Sequence, residues 1–163
     1  MEEHNAITSY TKRSEVFPQV QKQLEQLIKG EVSLIANMAN TAALLHRTFQ
    51  FHWTGFYIVR DSMLVLGPFQ GPVACTRIAF GKGVCGAAWQ QQTLLNVPDV
   101  ELFPGHIACS AHSRSELVIP VIKNQEVIAV LDIDSEFPAH FDAHDELFFT
   151  EVVKQLATNS HES

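Results

Sequence analysis

The chain has 163 residues, of which 46% are hydrophobic and 18% charged, a composition typical of a soluble globular domain. Its formal net charge is −7, and its 11 lysines and arginines are scattered rather than gathered into a basic stripe, so we expect no nucleic-acid binding. The apolar runs are strand-sized and the N-terminus lacks the pattern of a signal peptide, so we expect no membrane span and a cytoplasmic location.

Helices are predicted at both ends of the chain. Apolar residues recur every three or four positions across residues 14–50, which predicts two helices, or one helix that breaks at Gly30. These N-terminal helices are long enough to support a homodimer. Residues 140–160 predict a C-terminal helix with Asp142 as its N-cap. Its expected apolar face consists of Leu147, Phe148, Val152, Leu156 and Ala157.

The middle of the chain, residues 51–139, predicts a β-sheet. Here the apolar period changes to two, which indicates strands joined by short turns, with one short helix within residues 81–92 and a long loop over 98–115. We therefore expect a single α+β domain over residues 1–163, built on an antiparallel sheet. The predicted strands cover residues 52–59, 63–69, 76–80, 116–122 and 126–134.

The last predicted strand ends in carboxylates on one face. Residues two apart share a face, so Asp132 and Asp134 follow Ile128 and Val130. The opposite face is expected to be fully apolar. Buried carboxylates are costly to desolvate and should meet water or a cation, although a strand that simply runs out into solvent gives the same pattern. The expected apolar face consists of Val127, Ala129, Leu131 and Ile133.

The first predicted strand carries two aromatic residues around a glycine. Trp53, Gly55 and Tyr57 share one face, and a glycine between two rings leaves a shallow hollow for a ligand. The alternative is that Trp53 and Tyr57 are ordinary core residues.

The loop HIACSAHSRSE, residues 106–116, allows three interpretations. His106, Cys109 and His112 could bind a metal, although their spacing matches no standard zinc site. Alternatively, Cys109 is a nucleophile in a polar, basic environment, with Glu116 as a partly buried general acid. The third interpretation is an exposed loop with an incidental cysteine.

The three cysteines argue against a structural disulfide framework and leave redox or nucleophilic chemistry, or a role as small buried hydrophobic residues. Their number is odd in a chain expected to be cytoplasmic, and no C-x-x-C motif occurs. Cys75 or Cys85 could resolve an oxidised Cys109 by forming a disulfide.

Three segments together resemble the GAF-type free methionine-(R)-sulfoxide reductases. The resemblance runs from about Trp53 to Phe141. It implies a GAF fold, in which an antiparallel sheet carries the N- and C-terminal helices on one face and a ligand pocket on the other. The segments are GPFQGPVACTRIAFGKGVCGAAWQQQ, NVPDVELFPGHIACSAHSRSELVIPVI and VIAVLDIDS.

The resemblance also implies the roles of the site residues. Cys109 of FPGHIAC looks like the catalytic cysteine, Cys75 like its resolving partner, and Cys85 like an alternative resolving cysteine. The expected chemistry is reduction of the free sulfoxide through a Cys109 sulfenic acid and an intramolecular disulfide that thioredoxin recycles, as part of the response to oxidative stress. No cofactor and no metal is expected. The resemblance assigns substrate binding to Trp53, Tyr57, Glu116, Asp132 and Asp134.

Two positions depart from the expected family pattern. Ser110 stands where an acidic residue is expected, and His112 replaces a small residue. Both changes make the loop less acidic, which would lower the pKa of Cys109. The competing function is a GAF sensor that binds a small molecule without catalysis.

Overall fold

A computed structural model describes residues 12–107, 109 and 111–161. Within them, six antiparallel strands form one sheet in the order β3-β2-β1-β6-β5-β4. Two single-turn 3₁₀ helices lie at Arg13–Val16 and Val100–Leu102. The other elements are α1 Phe17–Ile28, α2 Leu34–Phe49, β1 Trp53–Arg60, β2 Met63–Gln70, β3 Arg77–Ala79, α3 Gly83–Gln91, β4 Leu95–Val97, β5 Ser115–Lys123, β6 Glu126–Ser135 and α4 Ala143–Asn159.

Helices α1, α2 and α4 cover one face of the sheet and form its larger core. Leu24, Met38 and Phe149 come from the three helices, and each is almost completely buried. Phe17 stacks on Phe148 with ring centroids 4.1 Å apart, which ties the start of α1 to α4. The expected GAF arrangement, with the terminal helices on one face of an antiparallel sheet, is confirmed.

The N-terminal region forms two helices rather than one. Helix α1 ends at Ile28, and Gly30 adopts a φ of 79°, in the left-handed region that favours glycine. Ser33 then caps α2 by accepting a hydrogen bond from the backbone N–H of Ala36.

Helix α4 begins as predicted and buries the expected face, with one exception. Asp142 and Asp145 form a reciprocal capping box at its start. Leu147, expected on the apolar face, is 71% exposed, so that prediction was wrong. The other four residues expected on that face, Phe148, Val152, Leu156 and Ala157, are buried, and Phe149 joins them.

Both predicted hairpins close through two-residue turns. Asp61 and Ser62 have φ values of 50° and 61°, and Asn124 and Gln125 have 51° and 67°. Two consecutive residues with positive φ form the turn whose twist matches that of the flanking strands.

A β-bulge changes the side-chain alternation at the start of β6. Val121 pairs with Ala129, whereas Ile122 pairs with Val127, so Ile128 is an extra residue on its strand. Val127 therefore packs on the face away from the terminal helices, and Ile128 packs towards them. The expected faces were wrong for these two residues, and the alternation holds from Ala129 onward.

The segment before the predicted long loop contains a strand that the sequence did not predict. Leu95–Val97 forms β4 and pairs with β5. Among the described residues, no helix has both the length and the apolar character needed to cross a membrane.

Candidate active site

The register of three adjacent strands brings the acidic residues together. On β6, Asp134 lies opposite Glu116 of β5 on one side and opposite Trp53 of β1 on the other. Asp132 lies two residues earlier and therefore shares the same face of the sheet. This is the face opposite to α1, α2 and α4, so the three carboxyl groups converge on the other side of the sheet.

These carboxyl groups are largely removed from water. Glu116 is 7% exposed and Asp132 is 6% exposed. Burial raises the pKa of Asp132 to about 6. Burial, reinforced by the neighbouring carboxylates, also raises the pKa of Glu116 and of Asp134 well above their ordinary values. One oxygen of Asp132, Oδ1, is buried without a hydrogen-bond partner among the described residues.

The raised pKa of Asp132 predicts a stability that falls with rising pH. The folded protein binds this proton more tightly than the unfolded chain does, so the free energy of unfolding should drop between the ordinary pKa of 3.8 and about 6. Asp132 is expected to contribute roughly 2–3 kcal/mol to this drop. Chemical denaturation of the oxidised protein across this pH range measures it.

The variant Asp132→Asn should show a shallower drop and should be more stable than the wild type at pH 7. Glu126→Gln, an exposed change on the same strand, is the control and should follow the wild-type curve. If Asp132→Asn also follows the wild-type curve, the buried carboxyl group does not titrate as described.

Cys85 enters this acidic cluster from α3. Its Sγ lies 3.9 Å from Oε1 of Glu116, and burial together with the nearby carboxylates raises the pKa of the thiol. Helix α3 can lie close to β3 because residue 86 is glycine, where a Cβ atom would come within 2.6 Å of the Ala79 carbonyl oxygen. Cys85 is a free, buried thiol.

Cys75 and Cys109 form a disulfide at the edge of the site. Their Cα atoms are 5.6 Å apart, although 34 residues separate them in sequence. Both residues are partly buried. The structure therefore pairs Cys109 with Cys75, the partner that the resemblance implied, and leaves Cys85 outside the bond.

Trp53 and Tyr57 hold the segment that carries Cys75. The Trp53 indole N–H donates to the carbonyl of Pro72 at 3.0 Å, and the Tyr57 hydroxyl donates to the carbonyl of Cys75 at 2.9 Å. Both rings are buried. Their ring centroids are 5.8 Å apart, which makes them a stacked pair along β1.

The hollow expected beside Gly55 is filled. A Cβ atom at Gly55 would lie 2.3 Å from the Cβ of Phe69 and 2.7 Å from the Trp53 ring. The glycine therefore allows Trp53 to lie flat over the strand between Tyr57 and Phe69. The prediction of an open space between the two rings was wrong, because the backbone and its neighbours occupy it.

A cavity of about 50 Å³ connects these groups. His106 lines it, with Nε2 3.8 Å from Oε2 of Glu116, and burial lowers the pKa of this histidine. Beyond Trp53 and Tyr57, no local pattern predicted the apolar part of the wall, which comes from residues 72–74, Ile78, Val84 and Ile107. The lining residues are Trp53, Tyr57, Pro72, Val73, Ala74, Ile78, Gly83, Val84, Cys85, His106, Ile107, Cys109, Ser113, Glu116, Asp132 and Asp134.

The structure does not gather the metal ligands considered for the loop. Cys109 is in the disulfide, and the ring of His112 lies against that of His52, with centroids 5.9 Å apart. Ser110, the other unusual residue of this loop, lies outside the described residues. The described residues that do bring ligand atoms within 4.8 Å of one another are Cys85, Glu116 and Asp132.

Fold and site together define a small α+β domain in which a disulfide and three carboxyl groups line the same cavity. Its sequence matches the GAF domain family over residues 33–159. The free methionine-R-sulfoxide reductase of Escherichia coli (strain K12) is 43% identical over 145 residues, which cover 88% of each chain. That of Saccharomyces cerevisiae is 37% identical over 163 residues, covering 94% of this chain and 91% of the yeast protein.

A solved structure agrees with this relationship. The free methionine-R-sulfoxide reductase of Neisseria meningitidis, in complex with its substrate, superposes with a TM-score of 0.89 at 45% identity, covering 96% of this chain and 95% of that one. The chain therefore belongs to the GAF domain family and, within it, to the free methionine-R-sulfoxide reductases.

Proposed function

We propose that this protein reduces free methionine-(R)-sulfoxide to methionine, with Cys109 as the attacking thiol. The observation that carries the proposal is the Cys75–Cys109 disulfide, whose Cys109 lines a cavity together with three carboxyl groups. A disulfide is the product expected when one thiol reduces a sulfoxide and a second thiol resolves it. Substrate and epimer are inferred from the relatives named for this activity.

The carboxyl groups suit the amino-acid end of the substrate. Free methionine sulfoxide carries an ammonium group, and charge-assisted hydrogen bonds to carboxylates are the strongest contacts it can make. Asp132 Oδ1 has no partner among the described side chains, and Asp134 lies on the same face of β6. Peptide-bound methionine sulfoxide has an amide in place of this ammonium, so the same site should reject it.

The proposed reduction of the sulfoxide proceeds in two steps. The Cys109 thiolate attacks the sulfoxide sulfur while a proton reaches the sulfinyl oxygen; oxygen transfers to Cys109 as a sulfenic acid and methionine leaves. The Cys75 thiol next attacks the sulfenic sulfur, which forms the disulfide and releases water. Thioredoxin, in the cytoplasm, would reduce this disulfide by thiol–disulfide exchange.

Glu116 is the proposed proton donor. It is buried, its pKa is raised, and it lines the cavity together with Cys109. A carboxyl group that stays protonated near neutral pH can act as a general acid. His106 also lines the cavity, but burial lowers the pKa of this histidine, which disfavours its protonated form.

Cys75, rather than Cys85, is the proposed main resolving cysteine. The burial of Cys85 and the neighbouring carboxylates raise the pKa of its thiol, which disfavours the reactive thiolate. Its Sγ contacts Glu116 instead. Cys85 therefore stays an alternative resolving cysteine that needs a rearrangement before it can react.

Asp134→Asn tests the proposed substrate contact. We expect kcat/KM for free methionine-(R)-sulfoxide to fall by roughly 10- to 100-fold, because a charged contact is worth about 1.5–3 kcal/mol. Steady-state methionine formation with thioredoxin, thioredoxin reductase and NADPH measures it. Glu126→Gln, on the same strand but exposed, is the control and should keep wild-type kinetics.

The same assay separates the reductase from the alternative GAF sensor. Unchanged kinetics in Asp134→Asn would remove this residue from the substrate site. Sulfoxide binding without methionine formation by the wild type would favour the sensor.

A further inference from the structure

We propose that the cluster of Cys85, Glu116 and Asp132 is also a binding site for Zn²⁺, and that the bound metal inhibits the enzyme. The three side chains come from α3, β5 and β6, and one ligand atom from each lies within 4.8 Å of the others. All three side chains are buried. A thiol and two carboxyl groups at such distances form a set of donors that matches the ligand chemistry of zinc.

A second observation points independently to a missing ligand. Asp132 is 6% exposed, and its Oδ1 is buried without a hydrogen-bond partner among the described residues. A buried, unpaired carboxylate oxygen is costly unless a cation or a donor satisfies it. The cavity of about 50 Å³ lies against this residue and leaves space for an ion.

The three side chains supply three of the four positions of a tetrahedral zinc site, and a water molecule would take the fourth. His106 lies beside the cluster, with Nε2 3.8 Å from Oε2 of Glu116, but it is not among the residues whose ligand atoms all lie within 4.8 Å of one another. Zinc bonds of 2.0–2.3 Å in a tetrahedron place ligand atoms roughly 3.3–3.8 Å apart. The cluster therefore needs an inward shift of only about 1 Å to bind the ion, well within the reach of side-chain rotation.

The inhibition follows from shared ligands, and this half of the inference rests on the proposed function. A zinc ion on Glu116 and Asp132 would occupy the carboxylates that the substrate ammonium and the sulfinyl oxygen require. The metal is thus a competitor and takes no part in the reaction. Protons bound to the cluster would be released as zinc binds, so binding should strengthen with rising pH.

Cobalt substitution tests the site without any need for activity. Co²⁺ is added to the oxidised wild-type protein, whose Cys75–Cys109 bond leaves Cys85 as its free thiol. We expect a thiolate-to-cobalt charge-transfer band and tetrahedral d–d bands, both removed by added Zn²⁺. Cys85→Ser should lose the charge-transfer band, and Asp132→Asn should bind at least about tenfold more weakly. Glu126→Gln should bind as the wild type does.

The outcomes that overturn the proposal are equally specific. Absence of the charge-transfer band in the wild type, or its persistence in Cys85→Ser, would refute the site. Because a variant could misfold, circular dichroism and the intact disulfide are checked on each protein first.

Competition is tested separately, by single-turnover methionine formation from reduced wild-type enzyme without thioredoxin. Zn²⁺ should raise the sulfoxide concentration needed for half-maximal rate, and a chelator should reverse the effect. A cobalt signal with no effect of Zn²⁺ on the rate would overturn the inhibition. Inactive enzyme with an intact cobalt signal would instead refute the proposed reductase.

Discussion

Cys109→Ser is expected to abolish the reduction of free methionine-(R)-sulfoxide, whereas Cys75→Ser should release about one equivalent of methionine per enzyme and then stop. A serine hydroxyl is a far weaker nucleophile towards sulfur than a thiolate, so the first step fails without Cys109. Without Cys75, the first step still proceeds, but the sulfenic acid on Cys109 has lost the neighbour to which it is joined in the structure.

Rapid-quench measurement of methionine distinguishes the two variants. Each reduced variant is mixed with excess sulfoxide, and methionine is counted against enzyme before and after thioredoxin is added. Cys85→Ser is the matched control, since its thiol lies outside the disulfide, and it should keep multiple turnover. Full multiple turnover by Cys109→Ser would contradict the assignment of the nucleophile. Multiple turnover by Cys75→Ser that disappears in the Cys75→Ser, Cys85→Ser double variant would transfer the resolving role to Cys85.

Glu116→Gln should lower the rate of the sulfur-transfer step by roughly 10²–10⁴-fold, the contribution expected of a general acid. The amide has nearly the same size and can still contact Cys85 and His106, but it cannot deliver a proton to the sulfinyl oxygen. The loss should appear mainly in kcat, because the proton is needed as the sulfur–oxygen bond breaks.

Single-turnover rates over a range of pH values check this role. The wild-type rate should fall as pH rises through the raised pKa of Glu116, whereas the residual rate of Glu116→Gln should lack that fall. Glu101→Gln changes an exposed residue that precedes the loop of residues 106–116, and this variant should retain the wild-type pH profile. If the Glu116→Gln rate is within threefold of the wild-type rate, Glu116 is not the general acid.

The carboxyl groups of the site underlie both the predicted pH dependence of stability and the predicted loss of activity in Asp134→Asn. Glu116 lies directly opposite Asp134 across two strands, a pairing of like charges that destabilises a sheet. Burial, together with the charge of Asp132, raises the affinity of both groups for protons. The pH dependence of unfolding and the loss of activity in Asp134→Asn therefore report on one arrangement, which sacrifices stability for binding.

Local pattern was sufficient to predict the elements with strong periodicity. The 3.6-residue period identified α1, α2 and α4, and the alternation around Trp53 and Asp132 identified β1 and β6. The hairpins were predictable because a short polar segment separates each pair of apolar runs; the prediction gave each turn three residues, and the structure has two. The three-residue strand β4 was too short to show any period, which is why the sequence did not predict it.

The convergence of the site could be predicted only in part. Alternation placed Asp132 and Asp134 on one face, but the pairing of β6 with both β1 and β5 depends on tertiary contacts that no local pattern encodes. Local pattern also assigned some residues to the wrong face of their own element. The bulge at Ile128 changes the faces of Val127 and Ile128, and Leu147 is exposed. The contact between Cys85 and Glu116 requires α3 to pack on the sheet, and periodicity says nothing about that.

The most direct test of the central claim follows NADPH oxidation with this protein, thioredoxin and thioredoxin reductase on three substrates. These are free methionine-(R)-sulfoxide, its S epimer and a peptide-bound methionine sulfoxide. We predict turnover of the free R form alone, because the proposed contacts require a free ammonium group and the relatives named for this activity are free methionine-R-sulfoxide reductases. Equal turnover of the peptide-bound form, or no turnover of any of the three, would contradict the account.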